Sequence, residues 1–247
     1  MSQVNRAPSL ASAALRWQRD SMRARGLVGS LRYLAEQFVE CAKDSLPERR
    51  RSRFGDIDYD CDHAVDTTWA RLPFSVRLRE IFSERLYQPT VEEEFAAIMQ
   101  HLATVDFETF TFIDLGSGKG RALLMASDYP FRKIIGVELL PALHRAAEEN
   151  VKHYRSDSQQ CFSLESILAD ATVFPFPEGA LVLYLFNPFP ESGLRRMITN
   201  LEQDLQSKPR TTYVLYHNPQ LDTVLIGNSR FKKIAATHQY SIYSIIL

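Results

Sequence analysis

Three glycines alternate at Gly116, Gly118 and Gly120, directly after the run Phe112-Ile113-Asp114-Leu115. Glycine adopts positive φ at no steric cost and lets a backbone approach a ligand closely. The pattern therefore suits a ligand-cradling turn between a strand and a helix. An acid, Asp114, stands two residues before the first glycine. Further along, Glu138 closes Ile134-Ile135-Gly136-Val137, and Asp170 follows Ile167-Leu168-Ala169. Asn187-Pro188-Phe189 follows another apolar run that ends at Phe186. A carboxylate can accept an O–H on each of its two oxygens, which suits a vicinal diol or a cationic group. An amide oxygen beside an aromatic ring can fix the direction of an amine, and positioning alone lowers a barrier by roughly 7–11 kcal/mol.

These residues need elements to carry them, and the chain supplies an alternating series. Strands are predicted over 111–115, 133–138, 164–168, 180–186, 211–217, 231–237 and 240–247, with helices over 119–127, 141–154, 192–205 and 221–226. Pro141 occupies the favoured first position of its helix. The run 180–186 is nearly all apolar, as expected of a strand buried on both faces. Alternation of this kind implies an α/β fold with a doubly wound, mostly parallel, seven-stranded sheet. The last two strands leave no room for a crossover helix, so they form an antiparallel C-terminal hairpin. Upstream, 9–44 reads as two helices interrupted near Gly26 and Gly29, followed by an irregular stretch over 45–69. The expected division is an N-terminal helical extension or cap over 1–85 and a main domain over 86–247.

Composition narrows the function classes. With 247 residues and 45% hydrophobic content, the chain has ample material for a core, which excludes wholesale disorder. Lys and Arg number 29 against 30 Asp and Glu, so a globally basic nucleic-acid binder is disfavoured. The Arg-rich N-terminus, with Arg6, Arg16, Arg19, Arg23, Arg25 and Arg32 against Asp20 among the first 35 residues, leaves a local basic patch open. Leu27, Leu31, Leu34 and Phe38 recur at helical spacing, which argues for a segment that packs onto something. No apolar run approaches the roughly 20 residues of a membrane span. Without an h-region, a cytoplasmic location and no membrane partner are expected. Cys41, Cys61 and Cys161 lie far apart and in no metal-ligand spacing, so free thiols and no metal are expected. Asp56, Asp58, Asp60 and Asp62 alternate but lack the Gly and Glu of a calcium loop. They are expected on one face of an extended segment, paired with the arginines of 49–53.

The glycine turn fits two other ligand loops poorly. A phosphate loop needs glycine where Ile113 stands and Ser or Thr where Gly120 stands. A dinucleotide fingerprint needs glycine where Arg121 stands, which weakens an NAD reading. The pattern D-x-G-x-G-x-G resembles motif I of the class I S-adenosylmethionine-dependent methyltransferases. The resemblance covers roughly residues 87–247 and implies S-adenosylmethionine as cofactor. It implies that Gly116, Ser117, Gly118 and Gly120 admit the amino-acid part and that Asp114 orients its ammonium group. It further implies that Glu138 accepts the ribose hydroxyls and Asp170 the adenine amino group.

Asn187-Pro188-Phe189 resembles the [DN]-P-P-[YFW] triplet of enzymes that methylate planar nitrogens, with one proline in place of two. Tyr87-Gln88-Pro89-Thr90 and the acids after it resemble the Y-x-P-[FT]-x-x-E loop of the non-SET, telomeric-silencing type of histone-lysine methyltransferase, and bacterial proteins that look like it. The resemblance implies that Tyr87 and Thr90 lie over the cofactor, and that Asn187 and Phe189 position the methyl acceptor. It implies transfer to a nitrogen, either a protein lysine or another amine or amide. Small-molecule O- or N-methylation and a non-catalytic module binding S-adenosylmethionine or a nucleotide are the alternatives. Phe186, Tyr87, Tyr216 and Phe189 are candidates for an apolar channel, and His217 is a candidate base.

Overall fold

The computed structural model describes residues 9–43, 57–68, 76, 78, 81 and 88–246. The chain divides into two compact units, Arg6–Val91 and Glu92–Leu247.

In the first unit, α1 (Leu10–Lys43) is interrupted at Gly26, whose φ of 69° and ψ of −179° lie in a region essentially reserved for glycine. The interruption folds the helix back on itself. Ser21 and Ser30 share a hydrogen bond at 2.9 Å, whereas nine residues of straight helix would separate them by about 14 Å. The rings of Trp17 and Tyr33 stack at 6.1 Å, and the Arg25 guanidinium sits 4.6 Å over the Tyr33 ring. The two predicted helices are thus an antiparallel hairpin that turns at Gly26, with Gly29 inside the second arm. The alternating aspartates do not form an extended segment: 57–62 is helical, α2 (Ile57–Asp62). Asp60 instead accepts from the backbone N–H groups of Thr67 (2.9 Å) and Thr68 (3.0 Å), tying down the chain that follows. Asp56 and the arginines of 49–53 lie outside the described residues.

The second unit opens with α3 (Glu92–Gln100) and continues β1 (Phe110–Leu115), α4 (Arg121–Ala126), β2 (Lys133–Glu138), α5 (Pro141–His153), β3 (Leu164–Leu168), β4 (Ala180–Phe186), α6 (Glu191–Ser207), β5 (Thr212–His217), α7 (Asp222–Ile226), β6 (Phe231–Ala236) and β7 (Tyr240–Ile245). The strand order is β3-β2-β1-β4-β5-β7-β6. β1 to β5 pair in parallel, and β7 runs antiparallel between β5 and β6. This is the seven-stranded, mostly parallel sheet with a closing antiparallel hairpin that the sequence predicts. Leu181, Val182, Leu183, Tyr184 and Leu185 are all buried, because β4 lies at the centre of the sheet with helices on both faces. One face packs Ile113, Leu183 and Val214 against Leu194, Met197 and Leu201 of α6. On the other, Phe95 of α3 meets Phe112 and Tyr184 edge-on. The order reverses between β1 and β4, so the carboxyl ends of those strands flank the crevice where ligands bind in open α/β sheets.

Nothing lies within 4 Å of a Cβ built on Gly26, so a substitution there meets only backbone strain. Gly26→Ala is expected to cost about 1–3 kcal/mol. The expected readout is a lower urea midpoint when unfolding is followed by tryptophan fluorescence.

Candidate functional site

The glycine turn is held from below by β2. The N–H groups of Gly116 and Ser117 both donate to the carbonyl of Val137, at 2.9 and 3.2 Å. Gly116, Gly118 and Gly120 all have positive φ, at 94°, 55° and 86°. The Ser117 side chain turns inward: a Cβ on Gly136 would stand 2.7 Å from its hydroxyl, which is buried without a hydrogen-bond partner. Ser117 therefore offers a ligand its backbone rather than its hydroxyl. A Cβ on Gly116 would stand 2.5 Å from Cβ of Pro188. The turn after β1 and the corner after β4 are thus packed against each other, which brings the glycines and Asn187 to one crevice.

Glu138 fastens the turn. Its Oε2 accepts from the N–H of Gly118 at 2.8 Å and its Oε1 from the N–H of Leu140, just ahead of α5, at 2.7 Å. Burial pushes the Glu138 carboxyl up to about 7, against the pull of the Leu140, Gly118 and Leu139 N–H groups. Asp114 is buried too, and burial first, then the charge of Glu138, raises it well above the usual carboxylate range. Two acids that resist ionisation beside each other form a place that favours a cation or a set of O–H and N–H donors.

The fit to S-adenosylmethionine can be judged on these groups. The left-handed turn exposes backbone rather than side chains, Glu138 offers carboxyl oxygens to hydroxyls at the end of β2, and Asp114 is a buried acid that a cationic end would help to ionise. The residues fit the cofactor.

Asp170 is more heavily engaged than its sequence position suggests. Its Oδ1 accepts from the N–H and hydroxyl of Thr172, at 2.9 and 2.6 Å, capping a short turn of helix over Ala171–Val173. Its Oδ2 pairs with Arg196 of α6 at 2.6 Å. The sequence offers no hint of that arginine, which lies 26 positions away.

Asn187 has a φ of 45°, a left-handed conformation that asparagine tolerates better than most residues. Tyr216 donates its hydroxyl to Oδ1 of Asn187 at 3.1 Å and accepts from the N–H of Leu221 at 3.3 Å. Asn218, also before a proline and after a strand, repeats the left-handed corner with a φ of 48°. Phe189 is packed in the core with Leu194 and Met197, and Tyr216 is buried as well. Phe186 is the half-buried aromatic of this corner, its ring stacked on that of His217 at 4.2 Å and 12°. His217 is not placed as a base. Burial lowers its pKa, with Glu94 opposing, so the ring is neutral. Its Nε2–H then donates to Glu94 at 2.9 Å, and its Nδ1 accepts from the Tyr184 hydroxyl at 2.7 Å. Gln239 donates to the other oxygen of Glu94 at 2.5 Å. Tyr87 lies outside the described residues, and Thr90 is a buried residue of the other unit.

A comparison with known protein families finds no match, and neither does one with curated proteins. Among solved structures the chain is similar to a provisionally assigned methyltransferase of Escherichia coli, at 18% identity over 64% of this chain and 87% of that one, with a TM-score of 0.47. It is similar to a ribosomal protein L11 methylase of Lactobacillus delbrueckii subsp. bulgaricus, at 14% identity over 63% and 77%, with a TM-score of 0.41. A Salinibacter ruber RNA methyltransferase in complex with S-adenosyl-L-homocysteine matches at 18% identity over 64% and 92%, with a TM-score of 0.41. Identity this low leaves the reading of the site to its own side chains.

The Glu138 carboxyl makes a pH prediction. The folded chain keeps its proton up to about 7, while the ordinary value is 4.5. Between those values the folded state binds more protons, so stability falls as pH rises, by up to about 3 kcal/mol. Glu138→Gln is expected to flatten that fall in urea titrations between pH 4.5 and 7.5, leaving the slope due to Asp114.

Proposed function

We propose that this chain is an S-adenosylmethionine-dependent methyltransferase whose acceptor is a nitrogen, with 86–247 as the methyltransferase domain and 1–85 as a helical cap or substrate surface. The observation that carries the reading is the pair of buried carboxylates, Asp114 and Glu138, under a left-handed glycine turn that touches the Asn187-Pro188 corner. A sulfonium cofactor with an ammonium group and a ribose diol supplies the positive charge and the donors these acids call for. Bound, it provides an electrophilic methyl group. That methyl group would pass to an acceptor nitrogen held at Asn187, whose neutral amine form Phe186 would favour, the acceptor's proton leaving to solvent.

In this reading Glu138 takes the hydroxyl pair, Asp114 faces the cationic end, and the N–H groups of the glycine turn close round the cofactor. Asp170 holds the loop after β3 with Arg196, leaving the adenine to meet that loop's edge. Asn187 retains a free lone pair on Oδ1 and its N–H groups beyond the Tyr216 bond, enough to hold the acceptor nitrogen by its N–H. Phe186 takes the role of aromatic wall first expected of Phe189. A lysine acceptor would arrive protonated, with a reference pKa of about 10.4, and an apolar wall favours the neutral amine that attacks. The choice between a protein lysine and a small amine or amide belongs to the acceptor experiment. Tyr87 and Thr90 are assigned to the cofactor only by the resemblance of the Tyr87-Gln88-Pro89-Thr90 segment.

Isothermal titration with S-adenosylmethionine and S-adenosylhomocysteine tests the cofactor half. Glu138→Ala removes two charge-assisted hydrogen bonds and is expected to weaken binding on the order of 10- to 100-fold; Gly118→Arg is expected to abolish it. Unchanged affinity in both variants overturns the assignment. Incubation of cell extract with deuterated-methyl cofactor, followed by mass spectrometry, identifies the acceptor. Asn187→Ala is expected to keep cofactor affinity within a few-fold and to lose most label transfer. Binding without any labelled product would mark a non-catalytic module.

A further inference from the structure

Tyr216 carries a hydroxyl into an apolar cluster. Its ring is fully buried among a set that includes Leu185, Val214 and Leu225. β4 and β5 are in register at Leu185 and Tyr216, so the ring stands beside β4 two positions before Asn187. A hydroxyl buried in such company needs partners. It accepts from the N–H of Leu221, at the entrance to α7, and donates to Oδ1 of Asn187, at 3.3 and 3.1 Å.

Those two bonds fix a direction. A backbone N–H can only donate, so the Leu221 bond occupies a lone pair of the phenol oxygen and leaves its single proton to Asn187. That proton needs an acceptor, and the amide therefore turns Oδ1, not Nδ2, towards Tyr216. Asparagine does not make this choice by itself, because its χ2 torsion is broad and roughly two-fold. The left-handed corner does not make it either. Asn218 takes the same backbone conformation, with φ of 48° against 45°, and its amide has no hydrogen bond among the described residues. The backbone at Asn187 thus stands without the tyrosine bond, and what the bond controls is the side chain. That side chain is half-buried on the wall that packs through Pro188 against Gly116.

We propose that Tyr216 is a positioning residue for methyl transfer, a role that rests on the methyltransferase reading above. Its hydroxyl sets the flip and the angle of the Asn187 amide, so that the second lone pair of Oδ1 meets the N–H of the acceptor nitrogen. Without the hydroxyl the amide moves over its broad torsion, and the flipped amide turns N–H against N–H. Tyr216 touches neither cofactor nor acceptor in this role, so its loss falls on turnover rather than on cofactor affinity.

Tyr216→Phe keeps the ring and removes the hydroxyl alone. Label transfer from deuterated-methyl S-adenosylmethionine is followed at saturating cofactor over a dilution series of cell extract. The variant is expected to lose about ten-fold in the plateau rate while calorimetry gives an unchanged cofactor affinity. Asn187→Gly removes the amide and keeps the left-handed backbone without strain. In that background Tyr216→Phe is expected to lower the rate no further, because the two residues act as one unit. A second readout does not depend on turnover. The side-chain amide resonances of Asn187, assigned by their loss in Asn187→Gly, are expected to move in Tyr216→Phe towards those of Asn218. Resonances that stay in place overturn the inference, as does a plateau rate within about two-fold of wild type. Equal losses from Tyr216→Phe with and without the Asn187 amide also overturn it, in favour of a purely structural tyrosine. In each of these cases wild-type transfer leaves the methyltransferase reading standing. A wild type that binds no cofactor or transfers no label overturns that reading, and the role of Tyr216 with it.

Discussion

The site depends on one buried carboxylate. Glu138 stands at the end of β2 with each oxygen held by a backbone N–H, one from the glycine turn and one from the start of α5. Burying an ionised carboxylate is costly unless hydrogen bonds compensate. Backbone N–H groups compensate in part, and the residual cost appears as a carboxyl raised to about 7. Asp114 adds to the same imbalance from β1. A fold tolerates such a pair when a ligand restores the balance, and strain of this kind concentrates at functional sites. The shape of the turn, the start of α5 and the demand for positive charge all follow from that side chain's position.

A second polar system sits beside it and is satisfied without a ligand. Tyr184, His217, Glu94 and Gln239 form a connected chain from the centre of the sheet to the last hairpin. Its effect is rigidity. His217 is fixed at both ring nitrogens and so presents a flat plate on which Phe186 stacks. Next to it in sequence, Tyr216 fixes the amide of Asn187. Adjacent residues of β5 point to opposite faces of the sheet, yet both end up holding the corner after β4.

The fold was largely legible because its signals are local. An apolar run ending in Asp114-Leu115-Gly116 can only be a strand entering a glycine turn, and the three residues between Ala236 and Tyr240 can only close a hairpin. Glu138 was legible because a strand end determines where its side chain points. Contacts made across long separations were not. Glu94 and His217 are 123 positions apart, and nothing near either one in sequence names the other. Phe189 illustrates a different limit. The triplet Asn187-Pro188-Phe189 identifies a corner, but the left-handed φ at Asn187 redirects the chain so that the phenyl ring enters the core. Spacing by two at Asp58, Asp60 and Asp62 suits a strand, but the segment is helical and Asp60 accepts the N–H groups of Thr67 and Thr68, a contact with no local sequence signal.

The contact between Gly116 and Pro188 has a mechanical consequence. With a hydrogen atom where any other residue would carry a methyl, the two crevice walls interlock like a ball in a socket. The width of the crevice between the glycine turn and the asparagine corner is thus set by the missing side chain at 116, and any larger residue there would have to wedge the two walls apart.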